Sequence, residues 1–496
     1  MRKTAIERKT CLSNQIIMNS MAKYLKIFLF SSLVLLITSC AIGPDFQKPA
    51  VNAPSEFRFD NVRDDSAEIL SWWELFNDPI LDSLVKTALR ENRDVKIAAA
   101  RIEQARANMR FNKANMWPYL GYEGNITAGN INSVLNGLGN RNYETYYAAP
   151  VLSWEIGLWG KYRRLTESAQ EEMFALEYNQ RGILISLISE VASVYFQLLD
   201  YDNRLEISKN TLISRQEYLN IIQERYNKGT VAEIDVNQAQ IQEAIAAAAI
   251  PQYERGVANT ENALSILLGR NPGPILRGTK IEQQAIPPDI PPGLPSTLVQ
   301  RRPDIMEAEH YVASQNAMIG YAQALRFPSF NITGLFGIAS PELSTAAVNA
   351  AWSASGTLLG PIFNFGKNKR RVEVERKKTE EAYLMYDQSV LNAFRETEDA
   401  LIGVTTYKDQ LTAVIRQRDA AANAAMLSRA RYDEGLTSYL EVLDSDRTLF
   451  DASLNASATL AARLNSYVNL YKAIGGGWIS EDEKKAAEQA QQQQKQ

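Results

Sequence analysis

The sequence predicts a mainly α-helical fold that carries a small transmembrane β-barrel, with long helical hairpins and an internal duplication. Three observations predict it. Trp117-Pro118, Gly160-Lys161, Arg225-Tyr226-x-x-Gly229 and Leu268-Gly269 return in the same order as Phe327-Pro328, Gly366-Lys367, Arg431-Tyr432-x-x-Gly435 and Ile474-Gly475. The displacement is 206 residues at Gly366 against Gly160 and at Gly435 against Gly229. That is too long for a solenoid repeat and marks a duplicated unit. Each copy then pairs a short period-2 segment with a long proline-poor helical stretch.

The bulk composition is globular. The 496 residues are 45% hydrophobic and 22% charged with a net charge of -4, which excludes a basic nucleic-acid binder as the default reading. Mean hydropathy of -0.26 excludes a bundle of membrane helices. One stretch does approach a bilayer-length apolar run. Met21–Lys26 is short and basic, and Ile27–Ile37 is apolar, together reading as an export signal. Residues 1–20 are unlike such a signal, so Met21 or Met18 is the expected start rather than Met1. Leu36-Ile37-Thr38-Ser39-Cys40-Ala41 resembles a lipobox, in which Cys40 becomes the acylated N-terminus. An ordinary cleavage site beside an incidental cysteine is the alternative. Cys40 is the only cysteine outside the upstream extension, so the mature chain can form no internal disulfide.

Taken in order, residues 1–39 are extension and signal, and 40–76 form an extended arm that ends in Trp72-Trp73-Glu74-Leu75-Phe76. A first repeat is expected over 77–272. Asp78-Pro79 suits a helix start, with helices over about Ile80–Asn92 and Asp94–Met116. Strands follow at about 118–157, around a Gly/Asn-rich loop. Leu120, Tyr122 and Ile126, then Leu152, Trp154 and Ile156, alternate with polar neighbours such as Glu123, Asn125, Ser153 and Glu155. In the second copy Phe330, Ile332, Phe336 and Ile338, then Trp352, Ala354, Leu358 and Ile362, do the same. One face apolar and one hydrophilic is the pattern of strands between lipid and water.

The first long hairpin is expected over 162–268. Its seam is Leu187, Val191, Val194, Leu198, Tyr201 and Leu205, a heptad spacing that predicts coiled-coil packing. Pro251 is expected to interrupt the returning helix. A Pro-rich linker spans 273–295. The second repeat spans 296–477, with a helix starting near Thr297, strands at about 327–364 and a hairpin over 367–474 whose seam is Val390, Phe394, Thr397, Leu401 and Val404. Residues 478–496 are a Glu/Gln/Lys-rich tail expected to be disordered.

No catalytic constellation stands out, so an enzyme is not expected. His310 is the one histidine, on a helix, where a packing role is commoner than a catalytic one. Gly157-Leu-Trp-Gly160-Lys161 lacks the Ser/Thr of a phosphate loop. No Cys/His cluster points to a metal, and no cofactor is expected. The turns at Gly229 and Gly435 read as helical hairpin turns, and equally as docking knobs. Glu441 and Asp444 share a helix face, with Asp235 at the comparable place in the first copy. They read either as acids favoured by a helix start, or as a ring of acids at a constriction held by Tyr432 or Arg447.

Cys40, Gly43-Pro44-Asp45-Phe46, Arg301-Arg302-Pro303-Asp304-Ile305 with Ala308-Glu309, and the run from Tyr432 through Gly435 to Asp444 resemble the TolC-like outer-membrane efflux family, in its NodT-type lipoprotein branch. The resemblance covers nearly the whole mature chain. It implies a homotrimer with four strands per subunit in one shared barrel, lipid-anchored in the outer membrane, and long hairpins forming a periplasmic tube. It implies a passive exit duct for drugs or other small toxic compounds, working with a periplasmic adaptor (a membrane fusion protein) and an inner-membrane resistance–nodulation–division pump. A type I protein-secretion conduit and a lipid-tethered periplasmic coiled-coil scaffold are the alternatives. By the same resemblance Asp235, Tyr432, Leu440, Glu441, Asp444 and Arg447 map onto the periplasmic aperture. Gly229, Thr230, Gly435, Leu436 and Thr437 map onto adaptor contact. Some relatives carry arginine where this chain has Thr437, which leaves Arg447 as the expected positive partner. One step needs no resemblance: four strands cannot close a barrel in lipid alone, so the chain is expected to oligomerise.

Overall fold

The computed structural model describes residues 41–51, 53–54, 56–59, 71–131, 141–288, 295–341 and 350–476. The expected export signal, Cys40 and the polar tail lie outside the described residues. The helices are α1 (Pro79–Glu91), α2 (Arg93–Ala114), α3 (Lys161–Asn227), α4 (Glu233–Leu267), α5 (Pro295–Arg301), α6 (Pro303–Ala324), α7 (Lys367–Asp433) and α8 (Tyr439–Ala473). The strands are β1 (Tyr119–Ile131), β2 (Arg141–Ile156), β3 (Ser329–Ser340) and β4 (Ala350–Leu359). The two hairpins match in length. α3 and α7 each have 67 residues, and α4 and α8 each have 35.

Two compact units are present. One contains the described residues up to Lys48, with Ala105–Met173 and Tyr311–Tyr383. It holds the sheet, which is antiparallel throughout in the order β1-β2-β3-β4. Residues directly opposite one another in such a sheet project from the same face. Leu120 faces Leu152, Trp154 faces Ile332, and Ile156, Phe330 and Leu358 form one apolar row. The other face carries the rows Ser153-Thr333-Ser355 and Glu155-Asn331-Thr357. The period-2 pattern thus becomes two chemically opposite faces. Ile362 departs from it, because β4 ends at Leu359 before Gly360-Pro361. β1 and β4 each keep one edge with no partner strand among the described residues.

The second unit contains Pro49–Gln104, Phe174–His310 and the described residues from Leu384 onward. Asp78 caps α1, accepting from the backbone N–H of Ile80 (2.9 Å) and Leu81 (3.2 Å). The Tyr195 hydroxyl (2.8 Å) and Gln284 Nε2 (2.7 Å) also donate to this buried carboxylate. Around it lies the core of Trp72, Phe76, Leu81, Val85, Leu264, Leu464 and Val468, with Leu187, Val191 and Leu198 of the expected seam. Trp72 stacks on Tyr471, ring centres 4.9 Å apart.

Two helix expectations change. Pro251 does not interrupt α4, which runs unbroken through it. A proline costs roughly 3 kcal/mol inside a helix, but Val236, Ala239, Ala246, Tyr253, Thr260 and Leu264 are buried along the length of α4 and hold its axis. The helix expected from near Thr297 is instead two, because Pro303 opens α6 after Arg302. His310 lies on α6, its ring stacked on Tyr178 at 5.2 Å and beside Phe174 at 5.5 Å.

Candidate functional site

The two hairpin turns are built alike. The Gly229 N–H donates to the Tyr226 carbonyl (2.8 Å) and the Thr230 N–H to the Arg225 carbonyl (3.0 Å). Gly435 repeats this onto Tyr432 (2.9 Å), and Leu436 onto Arg431 (2.8 Å). This is the paired closure of a Schellman motif, whose αL position favours glycine. φ is +74° at Gly229 and +75° at Gly435. Both glycines face open space, and Leu436 is 65% exposed. Thr230 is exposed, and its hydroxyl donates to the Arg225 carbonyl (2.8 Å). The five residues expected at docking turns therefore present two short knobs.

Behind the turns the helix starts pack together. Ile222, Val236, Ala239, Tyr439, Val442 and Leu443 form a small core, with Tyr218, Leu219, Val231 and Tyr432 against it. Tyr218 stacks on Tyr439 with centres 5.9 Å apart and planes within 6°. Tyr432 tilts against Tyr439 at 5.4 Å. Burial pushes the Tyr218 phenol up to about 12 and also raises the Tyr439 phenol.

The residues expected at the aperture do not all meet. Glu441 accepts from the Thr437 hydroxyl and pairs with Arg431 (3.2 Å). Asp444 pairs with Arg447 (3.0 Å) one helical turn on, both side chains exposed. Asp235 turns back to its own helix start, accepting from the Ala232 N–H (3.3 Å). Among the described residues Tyr432 makes no hydrogen bond to Asp235, Glu441 or Asp444; the Arg225 guanidinium lies 5.1 Å over its ring. Leu440, Asp444 and Arg447 line a cavity of about 190 Å³ with Gln238, Ile241, Gln242 and Leu443. The acids thus lie beside the hairpin turns, satisfied within the chain, and Leu440 and Asp444 are exposed.

Two cross-links were not visible in the sequence. Arg225 of the first hairpin pairs with Asp433 of the second (3.0 Å). Arg429 holds Asp446 through Nε (3.1 Å) and Nη2 (2.8 Å), across the second turn. Burial pushes the Asp446 carboxyl up, against the opposing pull of Arg429. Arg215, buried, lies over the Phe450 ring and donates to the Gln242 carbonyl (2.6 Å). Burial lowers its pKa from the usual guanidinium value. Its basic character was legible, but its partners depend on how far one helix is staggered along the next.

Away from the turns, the Arg301–Ile305 motif has a structural use. Arg302 donates to the Ala473 carbonyl at the end of α8 (2.9 Å), to Asp304 (2.7 Å) and to Glu396 (2.7 Å). Among the described residues no group of three or more His, Cys, Asp or Glu side chains is placed to hold a metal.

Comparison with known proteins fits this architecture. The family model for outer membrane efflux proteins matches twice, over residues 84–270 and 294–476. The chain is 33% identical over 463 residues to the solvent efflux pump outer membrane protein SrpC of Pseudomonas putida, covering 90% of this chain and 97% of that one. It is 30% identical to the probable outer membrane lipoprotein SilC of Salmonella typhimurium, over 92% of this chain and 99% of SilC. The crystal structure of the Campylobacter jejuni CmeC outer membrane channel superposes with a TM-score of 0.83 at 26% identity, covering 91% of this chain and 98% of that chain. A four-stranded sheet with opposite faces, two equal hairpins and a family match repeated in each half lead to one conclusion: the chain belongs to the outer membrane efflux protein family.

Proposed function

We propose that the protein is the outer-membrane channel of a tripartite efflux system, a passive homotrimeric duct exporting drugs or other small toxic compounds. The observation that carries this reading is the sheet. It is apolar on one face, hydroxyl- and amide-rich on the other, and open at β1 and β4. Open edges are not tolerated in lipid, so the sheet needs copies of itself to close. The duct has no energy source of its own; a periplasmic adaptor and an inner-membrane resistance–nodulation–division pump would supply it. No catalytic role is proposed. The name of SilC and the lipobox-like run before Ala41 support acylation of Cys40 and lipid anchoring in the outer membrane.

In this reading the knobs at Gly229, Thr230, Gly435, Leu436 and Thr437 receive the adaptor. Asp235, Tyr432, Leu440, Glu441, Asp444 and Arg447 line the periplasmic aperture. Asp444 and Leu440 are exposed in the single chain, which supports a position facing a neighbour or the lumen. A ring of carboxylates at a constriction draws cations and sets weak selectivity. Glu441→Ala combined with Asp444→Ala should raise single-channel conductance in planar bilayers and weaken cation preference. Wild-type conductance and preference in that double variant would remove the aperture assignment. Deleting the chain and screening a susceptibility panel tests the efflux role itself; an unchanged panel counts against it.

A further inference from the structure

The arm that follows Cys40 is held unusually tightly for an extended segment. The Ile42 N–H donates to the Trp159 carbonyl (3.2 Å), just beyond the end of β2. Arg164, only 5% exposed, reaches the Ile42 carbonyl with Nε (3.3 Å), and the Gly43 carbonyl (3.3 Å) and Asp45 (2.8 Å) with Nη2. Its Nη1 is fixed by Glu167 (2.9 Å). Buried Asn316 donates to the Pro44 carbonyl (2.9 Å), and the Tyr383 hydroxyl reaches the Gln47 carbonyl (3.5 Å).

Three glycines make room for this contact. A Cβ on Gly160 would stand 2.6 Å from Ala41 Cα, and one on Gly320 would stand 2.6 Å from the Ile42 carbonyl oxygen. Gly43, at φ +125°, would place a Cβ 2.5 Å from Gly320 Cα. Backbone approaching this closely is what glycine permits.

The duplication supplies an internal control. Gly160-Lys-x-x-Arg164-x-x-Glu167 returns as Gly366-Lys-x-x-Arg370-x-x-Glu373. There the glycine has nothing within 4 Å of its would-be Cβ, and Arg370, 74% exposed, pairs with Glu373. The same motif occurs twice, and among the described residues only the first carries a strap.

We propose that the Gly160–Glu167 turn of the first copy, closed by Gly320 and Asn316, is a receptor for the chain's own N-terminal arm. It fixes residue 41 at the foot of β2. The Cα of the residue that would carry the acyl group is then one peptide unit, roughly 3.8 Å, from that of residue 41. The strap turns a loose tether into a measured one, so that anchoring and seating of the sheet in the membrane are coupled. The anchoring half rests on the acylation of Cys40 proposed above; the receptor half does not.

The test uses the full-length chain extracted in detergent, with three readouts: amide hydrogen exchange over residues 41–48, labelled palmitate incorporation, and the yield of heat-modifiable oligomer. Arg164→Ala should speed exchange at the Ile42 amide by about tenfold or more, because it removes the charged donor that holds the strap. Gly43→Val lies in the arm, leaves Arg164 in place and should do the same by pressing the arm off Gly320. Arg370→Ala, the equivalent change in the second copy, should leave exchange at wild-type rates. Palmitate labelling should persist in all three, while oligomer yield falls in the first two. Unchanged exchange in both Arg164→Ala and Gly43→Val overturns the receptor. A released arm with wild-type oligomer yield overturns the coupling. Absence of palmitate in the wild type overturns the acylation reading alone and leaves the exchange result to decide the receptor.

Discussion

Arg302 ties three segments of the second unit with one side chain that is 8% exposed. Its planar fork satisfies Asp304, Glu396 and the last carbonyl of α8 together. A lysine ammonium cannot span that geometry. Arg302→Lys should therefore lower stability by roughly 1–3 kcal/mol, seen in thermal unfolding. A wild-type midpoint would mean the pairs contribute nothing net. Glu307 makes a pH prediction. Burial raises its carboxyl pKa, while the Asn179 amide, 3.0 Å from both oxygens, opposes the rise. A raised native value means the ionised form is disfavoured in the fold. The stability it contributes is complete below the ordinary carboxylate value and is lost as pH rises through the raised one. Glu307→Gln keeps an acceptor for Asn179 without the charge. Its unfolding midpoint should fall less than the wild type's as pH rises from about 4 to neutrality. An unchanged slope would place the titration elsewhere. At this scale the sequence showed which side chains were charged but not which were paired. Asp446 and Arg429 lie 17 positions apart on two helices, and no periodicity within one helix brings them together.

At the scale of elements, much of the structure is written in periodicity. Leu187, Val191 and Leu198 are buried in the expected seam, and Val390, Thr397 and Leu401 in the second. The four helix ends at Gly229, Gly269, Gly435 and Gly475 all have φ between +67° and +75°. Glycine is the residue that reaches this region without strain. Proline cannot adopt it, and at Gly435 it would also remove the N–H that bonds Tyr432. Gly435→Pro should therefore distort the knob while leaving the sheet's assembly intact. Drug efflux should be lost, with heat-modifiable oligomer at wild-type yield. Normal resistance in that variant would remove the docking role of the turn. Pro251 marks where a local rule was insufficient, and Pro303 where one was under-used. The first was tolerated inside a well-packed helix, while the second took the first position of a new helix after Arg302, as proline favours. At Pro251, packing over tens of residues outweighs a single local preference of about 3 kcal/mol.

For the whole molecule, the decisive feature is a sheet that one chain leaves open. Its faces differ enough to predict opposite tolerances. Trp352, paired with Phe336, lies on the apolar face, and Thr357, paired with Asn331, lies on the polar one. Arginine on a lipid face costs roughly 2–4 kcal/mol at the bilayer midplane, whereas lumen positions accept charge. Trp352→Arg should reduce heat-modifiable oligomer, and Thr357→Arg should spare it while altering ion selectivity. Equal loss in both variants would contradict the assignment of faces. The compact units do not follow the duplication. Each combines pieces from both copies, because helices α3 and α7 contribute to both units. The repeat is a fact of sequence order, while compactness follows which faces bury one another.

By itself the amino-acid sequence determined the doubled plan, the two periods of 3.5–3.6 and 2, and the glycines that end the helices, because these depend on bonds and contacts within a few residues. Tertiary structure alone decided the Arg225–Asp433 and Arg429–Asp446 pairs, the continuity of α4 through Pro251 and the seating of the arm on Gly160 and Gly320. Each of these depends on the rotation and stagger of one packed element against another, which only the burial of all the apolar faces together selects.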